Sequence, residues 1–365
     1  MKILVIHKSA IEQIPPVLNV INILHQLKYN VVSINTGIYE STAKQLVEKG
    51  IDVNVINDYK GNNKFKKIIS YQNYKKRVLN LIEEYASKDS VLLWIEGAST
   101  IFALGTSFKK YKYILQISEL HEDYKYQLKA IGRVINEAEL VFMPEYNRAA
   151  IYRVWFHLLK LPIILPNKPE SVANEEDLKL IKEKHIEKIK EIERYKIIIY
   201  QGSIQKKRDI SSIIKAVKEL GGDYRVLVMG RHNKTLEEYK TLDNQLIHID
   251  FTPAPEHLVY TSKAYIGVLS YDPYSLNNAF CAPNKTFEYS KFGIPLICNE
   301  LPGLKSVIDT YKTGKAIDIN NVESIKNAIL EIDANYEFYS NNAKEYYKAV
   351  NCKEIIRNAL KSIGL

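Results

Sequence analysis

Short apolar runs alternate with helical stretches, stop, and then start again; this pattern limits the fold of the chain more tightly than any other feature. The first series is KILVIH, NVVSIN, DVNVIN, SVLLWIE, YILQIS and ELVFMP, rich in β-branched and large apolar residues. Helical patterns such as VLNVINILHQLK (Val17 to Lys28) and STAKQLVEKG lie between them, the latter stopping at Gly50. The alternation resumes with KIIIYQG, YRVLVMG, IHIDF, YIGVLSY, IPLICN and KAIDI, and helices are predicted near 210–220, 255–263, 284–292 and 322–332. Strands separated by helices imply parallel sheets, because a parallel pair needs a crossover long enough to hold a helix. Two such series in 365 residues imply two doubly wound, Rossmann-like α/β domains. The expected division is a domain over 1–165, a charged helical connector over 166–195, a second domain over 196–335, and a terminal helical segment over 336–365 able to cross back to the first domain.

Composition narrows the class. Hydrophobic residues make up 46% and charged residues 25%, which are globular values. No apolar run approaches the roughly 18 residues that span a bilayer. MKILVIH enters a strand directly and lacks the small-residue cleavage site of a secretory signal. Cys281, Cys298 and Cys352 are odd in number and lack metal-ligand spacing, which fits reduced core thiols in a cytosolic protein. The net charge of +9 is unevenly placed: residues 1–165 hold 22 Lys and Arg against 15 Asp and Glu, residues 166–365 hold 29 against 27. The excess concentrates in KGNNKFKKIISYQNYKKR (Lys60 to Arg77), with seven basic residues and no acid. Phe65, Ile68, Ile69, Tyr74, Val78 and Leu81 fall near helical spacing and predict a basic amphipathic helix. Such a helix is either a solvated edge or a surface attracted to an anionic membrane or a lipid diphosphate. Nucleic acid is not expected as a partner, because no binding module is present and the charge is one local patch.

In doubly wound sheets ligands bind outside the carboxyl ends of the strands, so the loops that follow strands, facing a cleft between the domains, are where chemistry is expected. In YQGSIQKKRDISSIIKA a strand ends at Gly202 and Ser203, Lys206, Lys207 and Arg208 follow, and Asp209 or Ser211 is placed to cap a helix. A helix start beside an arginine fork suits a diphosphate. In SLNNAFCAPNKTFEYSKFGIP a polar loop carries Asn277 and Asn278, and Pro283-Asn284 opens a helix bearing Lys285 and Glu288. These two share a face, and their ordinary reading is a surface pair worth about 0.3 kcal/mol. The other reading is that they hold a ligand.

The stretch SLNNAFCAPNKTFEYSKFGIPLI resembles the donor-site signature of retaining B-fold (GT-B) glycosyltransferases of the glycogen-synthase-like group, matched here from Ser275 to Ile297. YQGSIQKKRDISSIIKAV is similar to the strand–glycine–basic loop of the same group. ISELHED (Ile117 to Asp123) and ILPNKPE (Ile164 to Glu170) resemble first-domain segments of it. The resemblance implies that Glu288 holds both ribose hydroxyls of a nucleoside diphosphate through a fixed carboxylate. It implies that Arg208 and Lys285 bind the diphosphate and offset the charge that grows as the glycosidic bond breaks, while Gly202 and Ser203 let backbone approach the phosphates. His121 would face the transferred sugar, its alternative being a satisfied structural histidine. Glu119 or Glu122 would orient it or the acceptor hydroxyl, Asn277 and Asn278 would reach the donor sugar, and Phe251 to Pro253 would border the base. Asn284 belongs to the same donor-binding signature.

Two departures stand out. Phe280 occupies the first position of a Glu-x7-Glu pair found in many relatives, and HKSAIEQIPPV replaces a glycine pair near the N-terminus. There is no Asp-x-Asp, which fits a diphosphate neutralised by side chains and not by a metal. The expectation is therefore a cytosolic glycosyltransferase, peripheral at the inner face of the cytoplasmic membrane. It would take a UDP-linked sugar as co-substrate, need no cofactor, and act on a glycan or lipid-linked glycan of a bacterial surface polysaccharide. The alternatives are a nucleotide-sugar 2-epimerase on the same fold, or a non-catalytic nucleotide-sugar-binding or scaffold partner.

Overall fold

The computed structural model describes residues 1–11, 15–58, 61, 63–169 and 175–365. Lys60 and residues 170–174 of the expected connector lie outside this set, as do the side chains of Lys64 and Phe65.

The chain divides into two units, Met1–Glu170 with Asn351–Leu365, and Ser171–Val350. The first holds a sheet of β1 (Lys2–His7), β2 (Asn30–Asn35), β3 (Asp52–Val55), β4 (Val91–Glu96), β5 (Lys112–Gln116), β6 (Leu140–Met143) and β7 (Ile163–Ile164) in the order β3-β2-β1-β4-β5-β6-β7. The second holds β8 (Lys196–Gln201), β9 (Tyr224–Met229), β10 (Ile247–Ile249), β11 (Ile266–Leu269), β12 (Leu296–Asn299) and β13 (Gly314–Ile317) in the order β10-β9-β8-β11-β12-β13. Every pairing in both sheets is parallel. Both units are thus doubly wound, as the alternation implies. Strand order reverses between β1 and β4 in one sheet and between β8 and β11 in the other.

The strands read as near-continuous apolar runs because helices cover both faces. In β8, Ile198 and Tyr200 enter one buried cluster and Ile197 and Ile199 the other. The two-residue period of a strand sends neighbours to opposite faces.

The charged stretch expected as a connector is built into the second unit instead. It forms helices Glu175–Lys184 and Ile186–Ile192, and Ile189 and Ile192 are buried in that unit's core. The terminal segment also divides. Helix Tyr336–Ala349 stays with the second unit, and helix Cys352–Lys361 packs against helix Pro15–Gln26 of the first.

The basic helix spans Lys64–Ala86, with Asn63 accepting from Lys66 N at its start. It buries Ser70, Tyr74, Val78 and Ile82, a strict four-residue stripe. Ile68 and Ile69, counted in the apolar stripe of the predicted amphipathic helix, are 58% and 55% exposed and lie beside the exposed Lys66 and Lys67. Spacing of three or four residues left either stripe open, and packing chose the later one.

Candidate functional site

The β8/β11 switch point of the second unit carries a depression lined by Tyr200, Gln201, Arg208, Val268, Leu269, Ser270, Tyr271 and Lys285. Strand reversal sends the loops after β8 and β11 to opposite faces of the sheet and leaves this gap between them.

The β8 loop begins at Gly202 with φ +135°, a conformation L side chains rarely adopt. A Cβ there would lie 3.1 Å from Lys285 Cε and 3.3 Å from its Nζ, so the lysine lies directly over the glycine. Lys206–Arg208 then form a turn. Lys206 pairs with Glu238 on the exposed surface, whereas the Arg208 guanidinium turns inward and stacks 4.8 Å from the Tyr271 ring centroid. Ser270 Oγ donates to Asp209 O at 2.7 Å and ties the two loops together. Asp209 Oδ1 accepts from Ser211 N, Ser211 Oγ and Tyr239 Oη, so Asp209 braces the following helix while Ile210 occupies the cap position.

Helix Lys285–Lys291 carries the other half of the site. Its position is set by Tyr289, whose buried ring lies over Gly267 of β11. A Cβ on that glycine would approach the ring to 2.5 Å, so any larger residue would push the helix away. On the far side Phe287 stacks on Tyr346 at 5.0 Å. Gly293, at φ +68°, ends the helix with its N–H on Ser290 O.

Lys285 and Glu288, one turn apart on this helix, do not pair with each other. Glu288 Oε2 accepts from Gln201 Nε2 at 2.5 Å and lies 3.4 Å from His257 Nε2. Gln201 Oε1 in turn accepts from Thr261 Oγ1 at 2.7 Å. Burial would raise the pKa of Glu288, but the hydrogen bond and charge of His257, with Lys285 and Gln201, outweigh it and hold the carboxyl below its ordinary value. Burial pulls the Lys285 ammonium down, Glu288 pushes it back up, and Arg208 lowers it further. Two cations thus face the depression across Gly202, with one ionised carboxylate behind them. That arrangement suits a compact polyanion joined to a hydroxylated group.

Of the residues singled out in the sequence, Arg208 and Lys285 line the depression, Gly202 lies beneath the Lys285 side chain, and Glu288 reaches the lining through Gln201. Ser203, Asn277, Asn278 and Asn284 do not line the depression. Ser203 is exposed, and its carbonyl accepts from Tyr200 Oη. Asn277 and Asn278 sit on the short helix Leu276–Ala279, capped by Ser275 Oγ on Asn278 N. Asn284 precedes helix Lys285–Lys291 without a side-chain cap bond. Phe251 is 54% exposed, with the Arg231 guanidinium 5.1 Å from its ring. Gln201, Thr261 and His257 were missed by sequence reasoning. Gln201 gives a signal, as the one polar side chain between an apolar strand and its glycine. His257 gives none.

In the first unit His121 follows β5 at φ +61°, and Tyr124 N donates to its carbonyl. Burial lowers its pKa; Glu119, Glu96 and Glu122 oppose this and Arg148 adds to it, with a net fall. Glu119 is exposed, and its carbonyl accepts from Tyr152 Oη. The β1/β4 switch point is filled by a pair absent from the sequence reading. His7 and Glu96, the last residues of their strands and register partners, approach to 2.5 Å between Nδ1 and Oε2. Ser118 Oγ donates to the other oxygen of Glu96 at 3.1 Å. Burial would lower the pKa of His7, but the charge and hydrogen bonds of Glu96 prevail and raise it.

Among the described residues no group of three or more His, Cys, Asp or Glu side chains is placed to hold a metal ion, and no helix is long and apolar enough to cross a membrane.

Residues 181–349, nearly the whole second unit, match the family model Glycosyl transferases group 1. No curated protein sequence matches the chain. Among solved structures, HepE of Anabaena in complex with UDP and glucose superposes with a TM-score of 0.74 at 10% identity, covering 100% of this chain and 99% of that one. Sucrose-phosphate synthase of Thermosynechococcus elongatus gives 0.70 at 14% identity, over 99% and 97%. A putative UDP-N-acetylglucosamine 2-epimerase of Listeria monocytogenes gives 0.59 at 15%, over 94% and 90%. The fold is GT-B, with two Rossmann-like domains, and it is within the second unit that the chain is similar to group 1 glycosyltransferases.

Proposed function

We propose that the protein is a glycosyltransferase that takes a nucleoside-diphosphate sugar, UDP-linked, and passes the sugar with retention to a glycan or lipid-linked glycan in bacterial surface-polysaccharide synthesis. The observation that carries this reading is the convergence of Arg208, Lys285, Gly202 and Glu288 at the β8/β11 switch point. They lie inside the segment that matches group 1 glycosyltransferases.

Each group has a task that follows from its chemistry. Glu288, ionised and held from behind, accepts hydrogen bonds from the ribose hydroxyls. Arg208 presents a planar fork to the diphosphate, and Lys285 adds a charge whose hydration burial has already removed, so both gain strength as negative charge builds on the leaving group. Gly202 keeps the β8 loop free of a side chain beside those phosphates. These cations take the place of a metal. In the first unit His121, held neutral by its lowered pKa, faces the transferred sugar, with Glu119 or Glu122 at the acceptor. The exposed Lys66, Lys67, Ile68 and Ile69 offer cationic and apolar groups together to an anionic membrane face.

Thermal shift with a panel of nucleoside diphosphates and their sugars tests the reading. UDP at about a hundred times its dissociation constant should add about 2.7 kcal/mol of stability, and incubation with the UDP-sugar should release UDP. A flat panel would reject the donor site. Binding without turnover would favour the scaffold reading left open by Phe280, and an epimerised sugar the epimerase.

A further inference from the structure

Glu288 is more constrained than a ribose ligand needs to be. Its Oε2 faces two nitrogens, Gln201 Nε2 at 2.5 Å and His257 Nε2 at 3.4 Å, which fill the acceptor sites of that oxygen. Neither residue stands free. The Gln201 amide is oriented by Thr261 Oγ1, itself fully buried, whose hydroxyl also lies 3.1 Å from His257 O. The opposite amide orientation would set Gln201 Oε1 against a carboxylate, so the observed one is the only one without repulsion. His257 follows the loop after β10 and starts the short helix Leu258–Thr261. Its Nδ1 is buried with no hydrogen-bond partner among the described residues. A buried ring nitrogen left unpaired weakens the fold, so the ring's one polar engagement is the carboxylate.

We infer that His257 and the Gln201–Thr261 couple are positioning residues for the donor: they hold Oε2 of Glu288 from two sides and leave Oε1 alone to receive the ribose hydroxyls. This rests on the donor-site reading above. Three segments far apart in sequence, the end of β8 and the stretches after β10 and β11, thereby converge on one carboxylate, and its geometry is set before any nucleotide arrives. The residues act through Glu288, so their effect should reach only ligands that carry the ribose diol.

Isothermal calorimetry with UDP and with 2′,3′-dideoxyuridine diphosphate tests this on the full chain. Glu288→Ala should weaken UDP at least about ten-fold, the loss of a hydrogen bond to a charged group. His257→Ala should weaken UDP by about five-fold and Thr261→Val by about three-fold, while leaving dideoxyuridine diphosphate within about two-fold of wild type. His257→Gln, which restores an Nε2 donor at similar reach, should recover most of the loss. Equal losses on both nucleotides would mean that His257 acts by packing and would overturn the inference. So would UDP binding by His257→Ala and Thr261→Val at wild-type strength when Glu288→Ala has lost it. Wild-type UDP binding by Glu288→Ala would instead remove the donor-site reading itself.

Discussion

Two glutamates sit at the two switch points of this molecule, and each faces a histidine. Glu96 is 2% exposed, both of its oxygens are engaged, and the pair with His7 fills the reversal between β1 and β4. The Glu288 side chain is 15% exposed, only its Oε2 is engaged among the described residues, and its partner Gln201 lines the depression at the reversal between β8 and β11. The chemistry of the pairs is the same, so pairing alone does not mark a binding site. What separates them is an oxygen left open beside two cations. The closed pair ends the six-residue pairing of β1 with β4, and the open one leaves an oxygen beside the depression.

Breaking the closed pair should give the largest effect. Glu96→Ala leaves His7 buried without its partner and should destabilise the protein by about 3–5 kcal/mol, measured by urea unfolding. UDP affinity of the folded fraction should stay within about two-fold, since the site lies in the other unit. A selective loss of UDP binding would make the first switch point functional and end the contrast. Next, Glu288→Ala should cost about 1.5–3 kcal/mol in UDP affinity with a smaller change in the unfolding midpoint. A fall in stability as large as that of Glu96→Ala would reclassify it as structural.

Arg208→Ala should lower kcat more than it weakens uridine binding, because its partner is the diphosphate, and initial-rate kinetics beside nucleoside titration would separate the two. The smallest effect is the most specific to the closed pair. The folded state holds the His7 proton more tightly than the unfolded chain does, so this stabilisation is complete below the ordinary value near 6.5 and is lost as pH rises through the raised one. The melting temperature of wild type should fall across that window relative to His7→Gln, and parallel curves would show that the proton is not shared as the geometry requires.

The fold was legible because apolar runs and helix stops are local. β1, β2, β8 and β9 lie within a residue of their expected bounds, and the helix bearing Lys285 and Glu288 begins at the expected Asn-Lys. Arg208, Gly202, Lys285 and Glu288 were legible for the same reason, since each sits in a loop or helix that follows a strand. Their supports were not. His7 meets Glu96 across 89 residues and Gln201 meets Glu288 across 87, contacts set by strand order and not by spacing. The charged helices 175–192 misled because Ile189 and Ile192, with Ile181 half-buried beside the same cluster, suffice to seat a stretch whose charged residues dominate its sequence. Ile68 and Ile69 share the helical period of Tyr74 and Val78 but lie off the four-residue stripe that is buried, a distinction that spacing alone does not make.

The return of residues 351–365 to the first unit bears on how the molecule comes into being. Cys352, Ile356 and Leu360 are buried, and the Cys352 thiol reaches Pro166 O, so the first unit is finished by chain made after the whole of the second. The usual order, N-terminal domain first, is therefore not open to this chain in full, since the first unit cannot be completed before the second has been made. The continuous unit 171–350 can close while the earlier one waits, its β1–β7 sheet lacking a helix. The second unit needs no chain beyond itself, whereas residues 351–365 act as the latch of the first.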